Sequence, residues 1–519
     1  MMTSFDISQL GDGAFGILQI AALLLVFVIG LFLLYLLYVY LADTRQQHNS
    51  VRRNFPVIGR FCTLFEHLGV FFRQYFFAMD REEMPFNRAQ RSWVYLASEN
   101  ADSTVAFGST RSLAQPNEVL FLNCPFPTLA ADAVPINPVT VGQSHARQAY
   151  TPGSLFNISG MSFGAISKPA VQALSQGAAA AGIWLNTGEG GLSPYHLEGG
   201  CDLVFQIGTA KYGVRDEHGE LSREKLLEIA AIEQVRMFEI KLSQGAKPGK
   251  GGLLPGCKVT PEIARVRGIP EGQDSISPNR HTDIGSIDQL LDSLAEIRQI
   301  TGKPVGFKTV VGNVGWFDEL LQRVHQRGMD CAPDFITVDS ADGGTGAAPQ
   351  SLIDYVGLPL RVSLPQVVDK VTEYGLRERI KIVASGKLIN PGEVAWALCV
   401  GADFVTSARG FMFSLGCIQA LKCNKDTCPT GVTTHNTKLQ LGLVPSDKAQ
   451  RVTHYAEQIL REVGVIAHAC GVTEARQLAR HHAQLVDARG IPEPLERLYP
   501  NVAPQKKYLI ATDNDGATG

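Results

Sequence analysis

Residues 335–346 read FITVDSADGGTG: an apolar run, Phe335 to Val338, ends in a carboxylate at Asp339 and opens into a glycine-bearing loop. A short continuous apolar run bounded by turn residues is the pattern of a strand buried on both faces. The same theme recurs on either side. Candidate strands before it are Leu155–Ser159, Ile183–Asn186, Leu203–Ile207, Met237–Leu242 and Val305–Val310; after it come Ile380–Ala384 and Phe404–Thr406. Helical patterns lie between many of them, at Arg223–Arg236, Ile287–Ile300, Phe317–Arg327 and Gly392–Cys399. Eight strand–loop–helix units over roughly 250 residues is the count and length of a (β/α)8 TIM barrel. A doubly wound open sheet is the alternative, but no early G-x-G-x-x-G opens one.

In such a barrel chemistry sits at the C-terminal ends of the strands, and the unusual residues fall there. They include the loop Asn186–Gly191, then Gln206, Thr209 and Lys211, and the run Gln244-Gly245-Ala246-Lys247 with its long connection. Ser385-Gly386-Lys387 and Ser407-Ala408-Arg409-Gly410 close the last two strands. Gly386 and Gly410 are placed where barrels commonly hold phosphate on backbone N–H groups, and Lys387 and Arg409 would add charge-assisted bonds. Lys308 interrupts a strand of Val, Gly, Phe and Thr; a lysine there is buried at a cost or faces something negative.

The rest of the chain bounds its class. Of 519 residues, 45% are hydrophobic and 19% charged, and the net charge is −3 with no long basic run; nucleic acid is therefore not an expected partner. From Gly13 to Ala42 no residue is charged, which spans a bilayer with room for tilt. The start carries Asp6 and Asp12 and no base, unlike a signal peptide. Arg45, Arg52, Arg53 and Arg60 follow, so the positive-inside rule expects a single-pass inner-membrane protein whose bulk faces the cytoplasm. Tyr35, Tyr38 and Tyr40 suit an aromatic belt, and residues 61–80 suit an amphipathic segment against the membrane or the barrel. The expected organisation is a membrane segment over 1–44 (helix at about 15–41), a juxtamembrane and pre-barrel region over 45–150, the barrel over 151–445, and a helical extension and tail over 446–519.

Seven of ten cysteines are scattered, several in apolar runs. Cys417, Cys423 and Cys428 instead follow the eighth strand as C-x5-C-x4-C, with Pro429 next. Three thiolates without a close fourth suit a 3Fe–4S cluster; zinc with His435 as a fourth ligand is the alternative.

Several ordered motifs resemble the glutamate synthase family: ISGMSFGAIS from Ile158, NTGEGG from Asn186, EIKLSQGAKPGKGGLLPG from Glu239, ADGGTGAAP from Ala341 and GCIQALKCNKDTCPTGV from Gly416. The resemblance covers about residues 85–480. It implies a barrel that binds FMN and a 3Fe–4S cluster on the loop 417–428, held by Cys417, Cys423 and Cys428. It also implies 2-oxoglutarate ligands at Gln244, Lys247 and Arg267, the cations suiting its two carboxylates. Glu189 corresponds to a glutamate beside flavin and substrate, so Glu189 and Lys247 are the catalytic candidates. The flavin candidates are Ser159, Met161, Ser162, Gln206, Thr209, Lys308, Gly343, Gly344, Ser385, Gly386, Ala408 and Arg409. The implied reaction condenses ammonia with 2-oxoglutarate and reduces the resulting 2-iminoglutarate to L-glutamate, with electrons arriving through the cluster.

Departures matter too. The family's full-length enzymes carry a glutaminase domain and a glycine-repeat β-helix; neither is expected here, and residues 450–495 read as helices. Ammonia is then expected from solution or from a separate glutaminase. Electrons are expected from ferredoxin or a separate NAD(P)H reductase subunit. Lys250 stands where the family more often has an acid, and Lys211 where it has arginine, so substrate choice could differ. Two other functions fit the motifs: a related flavin-dependent amine transferase or oxidoreductase, such as one forming N-methylglutamate, and a membrane electron-transfer subunit.

Overall fold

The structure, a computed structural model, describes residues 7–46, 48, 50–77 and 79–509. It divides into two units, up to Arg88 and from Ala89 onward.

In the second unit eight parallel strands close into a barrel: β1 (Phe156–Ile158), β2 (Leu185–Asn186), β3 (Leu203–Ile207), β4 (Val235–Lys241), β5 (Val305–Val310), β6 (Phe335–Asp339), β7 (Lys381–Ser385) and β8 (Phe404–Ser407). Each pairs with its sequence neighbour, and β8 returns to β1 through Val405 opposite Phe156. The sequence therefore located every barrel strand to within a few residues.

Because side chains alternate along a strand, every second residue faces the axis, and the axis is graded. At the N-terminal end Trp184, Val204, Met237, Phe335, Val383 and Phe404 pack into one apolar cluster, joined by Val141 and Tyr150 from the bridge preceding β1. One step up the space is lined by polar groups, among them Asn186, Glu239, Lys308, Thr337 and Thr406. Apolar packing closes the floor and leaves the mouth for chemistry. Gly306 makes part of this possible: a Cβ there would lie 2.6 Å from the Phe335 ring.

The helix Pro445–Ala469 packs along Lys168–Ala181, and the two come close at Gly177, where a Cβ would meet Val452 at 2.6 Å. Beyond Ala469 the helical expectation gives way. Residues 475–477 and 480–482 are single 3-10 turns, and Ala483–Val486 pairs antiparallel with Val119–Phe121 and Pro492–Pro494. The physical reason is in the residues: Gly471, Gly490 and the four prolines Pro492, Pro494, Pro500 and Pro504 break any helical run.

The first unit holds the helix Ile7–Arg45, of which Gly16–Arg45, with an 18-residue stretch of mean hydropathy 3.1, is long and apolar enough to cross a bilayer. Asp43 at its end pairs with Arg60 (2.8 Å) and accepts the Val57 N–H (3.1 Å), joining it to the helix Gly59–Phe72.

Candidate functional site

Three groups of side chains meet at the C-terminal mouth of the barrel. The first surrounds Glu189. The loop after β2 turns tightly because Gly188 takes φ +65° and lies so near the β1 loop that a Cβ would sit 2.6 Å from the Ser162 nitrogen. Gly208 and Gly252 leave room for the Glu189 carboxylate; a Cβ on either would come within 2.9 Å of its oxygens. Lys241, two residues beyond Glu239 on the same face of β4, reaches Glu189 Oε1 at 3.0 Å. Burial by itself raises the affinity of Glu189 for a proton, but Lys241, Lys247 and Arg267 outweigh it and hold the carboxyl below its ordinary range.

Lys247 and Arg267 are 5% exposed each. The Lys247 ammonium makes no hydrogen bond or ion pair among the described residues, and burial brings it down to about 8. Among the described residues Arg267 donates only to neutral oxygens, Ser275 Oγ (3.3 Å), Phe163 O (3.4 Å) and Ser162 Oγ (3.5 Å), and its Nε finds no acceptor; burial lowers its proton affinity. Two buried cations without a carboxylate partner make a receptor for an anion. Gln244 joins the group through Lys241: its Oε1 accepts from Lys241 and its Nε2 donates to Thr345 Oγ1 (2.8 Å).

The second group lies deeper. Gln206, inside β3 rather than after it, donates Nε2 to Glu239 Oε1 (2.6 Å), which also accepts from Asn186 Nδ2 (2.9 Å). Thr337 Oγ1 donates to Glu239 Oε2 (2.6 Å). Lys308 reaches Ser159 Oγ (3.5 Å) and pairs with Asp339 (3.2 Å), so the negative partner expected for this lysine exists within the protein.

The third group is the loop cluster after β6, β7 and β8. Gly386 has φ +116° and sits against Ser340, whose Cβ would be 2.4 Å from a side chain there. Gly343 and Gly344 lie alongside; a Cβ at Gly344 would meet Arg409 Nε at 2.9 Å. Lys387 pairs with Asp342 (2.8 Å), whose backbone oxygen accepts from Arg409 (3.3 Å). Burial lowers the Arg409 guanidinium to about 10. Ser385 is buried, and Ala408 precedes the helix Arg409–Ser414. Gly410 differs from the expectation of a phosphate-facing amide. Its N–H donates to Ser407 Oγ (3.3 Å), and its missing side chain makes room for the Tyr455 hydroxyl of the C-terminal helix.

Met161 and Ser162 are buried beside the first group, whereas the Thr209 hydroxyl donates to Pro278 O (2.7 Å) in the long connection. Lys211 turns away to Glu220 and Asp283, and Lys250 is exposed. Sequence reasoning missed Lys241 and Glu239. Their signal was two charged residues at alternate positions of the otherwise apolar run Met237–Leu242, EIK at 239–241.

The cysteine loop follows the helix Arg409–Ser414. Left-handed backbone at Gln419, Leu421 and Asp426 folds it back on itself. Lys258 anchors it, donating to the carbonyls of Cys423 (3.3 Å), Thr433 (2.9 Å) and Ala165 (3.0 Å), and the Tyr95 hydroxyl donates to Cys417 O (2.7 Å). Burial raises the Cys417 thiol to about 12 and also raises Cys423, while hydrogen bonds from Thr430 and Thr433 outweigh burial and lower Cys428. Each thiol feels at least one of the others electrostatically, so the donor set is the right chemistry for iron. As they stand, no three His, Cys, Asp or Glu side chains among the described residues are gathered as a metal site. The His435 ring donates from Nε2 to Gly164 O (2.8 Å).

Residues 129–473 match a family model described as a conserved region in glutamate synthase. The chain is 37% identical over 500 residues to the glutamate synthase large subunit-like protein YerD of Bacillus subtilis, covering 88% of this chain and 94% of that one. It is 33% identical over 336 residues to the archaeal-type glutamate synthase [NADPH] of Thermotoga maritima, covering 64% of this chain and 62% of that one. The archaeal glutamate synthase [NADPH] of Methanocaldococcus jannaschii is also 33% identical over 336 residues, with 63% and 61% covered. The chain thus spans nearly all of YerD but under two thirds of the NADPH enzymes.

Proposed function

The chain belongs to the glutamate synthase family, and from that premise we propose that it is an FMN-dependent oxidoreductase that reduces 2-iminoglutarate, formed from 2-oxoglutarate and ammonia, to L-glutamate. The observation that carries this reading is the pair Lys247 and Arg267, two buried cations with no carboxylate of their own, beside Glu189 at the barrel mouth.

Lys247 and Arg267 would each take one carboxylate of 2-oxoglutarate, fixing both ends of the substrate. Gln244, held by Lys241 and Thr345, would orient its middle. Glu189, kept ionised by Lys241, would accept a hydrogen bond from the imine or amine N–H. FMN, when bound, supplies the hydride chemistry. Ser159, Met161, Ser162, Gln206 and Lys308 would face its ring system, and Gly343, Gly344, Ser385, Gly386, Ala408 and Arg409 its phosphate end. The cradle around Ser340, crowded enough to exclude a Cβ at Gly386 and Gly343, supports close backbone approach to such a group. Thr209 belongs to the same set by position. Cys417, Cys423 and Cys428 would hold a 3Fe–4S cluster, the entry for single electrons.

Electrons would come from ferredoxin or from a separate NAD(P)H reductase subunit, and ammonia from solution or a separate glutaminase. The apolar helix, followed by Arg45, Arg52, Arg53 and Arg60, supports a single-pass anchor with the barrel on the cytoplasmic side. The deciding experiment reduces the protein with dithionite under anaerobic conditions and follows flavin absorbance. Reoxidation only with 2-oxoglutarate and ammonium together, with glutamate formed, is expected. Reoxidation with methylamine in place of ammonium would move the function to an amine transferase. No reoxidation by any such pair would leave an electron-transfer role.

A further inference from the structure

The Glu239 carboxyl is buried near the barrel axis, 3% exposed, and among the described residues is bonded only by side chains that carry no charge. Its Oε1 takes the amide N–H groups of Asn186 and Gln206 and its Oε2 the Thr337 hydroxyl, so Oε1 acts here as an acceptor. Whatever meets it must therefore present hydrogens. Asn186 confirms this polarity independently, because its Oδ1 accepts the Gly188 N–H (2.9 Å), which leaves only Nδ2 for Glu239. Gln206 is constrained the same way. Its Nε2 donates to Glu239 Oε1 (2.6 Å), and its Oε1 has no hydrogen-bond donor among the described residues. The Gln206 amide lies against Gly160, where a Cβ would be 3.1 Å from Nε2, and the neighbouring Ser159 hydroxyl meets Lys308.

Resting on the flavin reading above, we propose that Glu239 is a positioning residue that fixes Gln206 with its carbonyl oxygen toward the cofactor, so that the pocket accepts an N–H from the ligand and selects an imide edge. Lys308 supplies the complementary donor. A C(=O)–N–H–C(=O) edge, as in the pyrimidine ring of an oxidised flavin, offers one hydrogen between two acceptors, which matches one acceptor beside one cation. An amide free to rotate would meet that N–H with its own NH2 in half its orientations, and the selection would be lost. Glu239→Gln releases the amide, because a glutamine at 239 can either donate or accept.

The experiment measures FMN and N3-methyl-FMN binding to the full chain after flavin removal, in wild type, Glu239→Gln and Gln206→Met. Wild type is expected to prefer FMN over the methylated analogue by about tenfold or more, one good hydrogen bond's worth. Both variants are expected to bring that ratio down to within about twofold of one. A thermal melt of each flavin-free variant gives stability separately, and a purely structural role would lower stability without changing the ratio. Where Glu239→Gln does not fold, Thr337→Val loosens the same carboxylate through its other oxygen and should lower the ratio partway. A Glu239→Gln ratio equal to wild type overturns the inference while leaving the flavin reading intact. Wild type that binds neither compound overturns both.

Discussion

Two regions of the barrel bury cations and carboxylates, and they do so differently. At the floor Asp334, fully buried just before β6, accepts Arg298 Nε (2.7 Å), Arg379 (2.7 Å) and the Val305 N–H (2.7 Å). The remaining Arg298 nitrogens end on the carbonyls of Asp330 and Ala332, both at 2.5 Å. Nearly every donor has an acceptor; Arg379 Nε is the exception. At the mouth, among the described residues, the Lys247 ammonium has no hydrogen-bond or ion-pair partner, Arg267 has long contacts to neutral oxygens and the Tyr212 ring, and Glu189 pairs with Lys241. A satisfied buried network maintains structure, because removing any member strands the others. An unsatisfied one of equal burial costs stability, and folds retain such costs where a ligand will repay them.

The contrast can be broken in order of expected effect. Asp334→Ala should be the most damaging to the fold, at about 3–5 kcal/mol, since it leaves two buried guanidinium groups without their carboxylate. Urea unfolding measures this, and a loss under about 1 kcal/mol would mean the floor network is not structural. Arg267→Ala should do the reverse. Stability changes by less than about 1 kcal/mol, while 2-oxoglutarate affinity falls by about 2–3 kcal/mol, or some thirtyfold or more, and FMN affinity holds. Parallel titrations of the two ligands separate the cases. Equal weakening of both would place Arg267 outside the substrate site.

Cys423→Ser sharpens the same contrast on the cysteine loop. Iron content should drop to background while flavin stays bound; iron unchanged from wild type would remove the cluster from the site. The smallest effect concerns pH. Burial depresses Lys247 to about 8, and a bound dianion needs it protonated. Above about pH 8 binding must take up a proton, so 2-oxoglutarate affinity should fall by up to tenfold per pH unit there and be flat below. Lys247→Arg stays charged and should abolish the slope. A slope that survives in that variant would assign the proton to another group.

Much of this was legible in the chain. The strands announced themselves as apolar runs ending in glycine loops, because a strand buried on both faces has no polar side to hide. Of the residues expected at the mouth, the structure places Glu189 within electrostatic reach of Lys247 and Arg267, and Gln244 joins them through Lys241. Gly410 was misread, since a glycine that clears a path for Tyr455 looks the same in sequence as one that cradles phosphate. The turn from helix to strand after Ala469 was also missed, because its partner, Val119–Phe121, lies some 360 residues earlier in the chain.

The sequence by itself therefore determined the barrel, the apolar N-terminal helix and the chemical identity of the mouth, because local patterns of apolar, glycine and charged residues dictate strands, turns and strand ends. Only the tertiary structure decided the partners: that Glu189 meets Lys241, that Lys308 meets Asp339, and that Glu239 gathers Asn186, Gln206 and Thr337. The reason is geometric. Which inward side chains share a layer depends on how the strands are staggered around the closed barrel, a property of all eight strands together and of no single stretch of sequence.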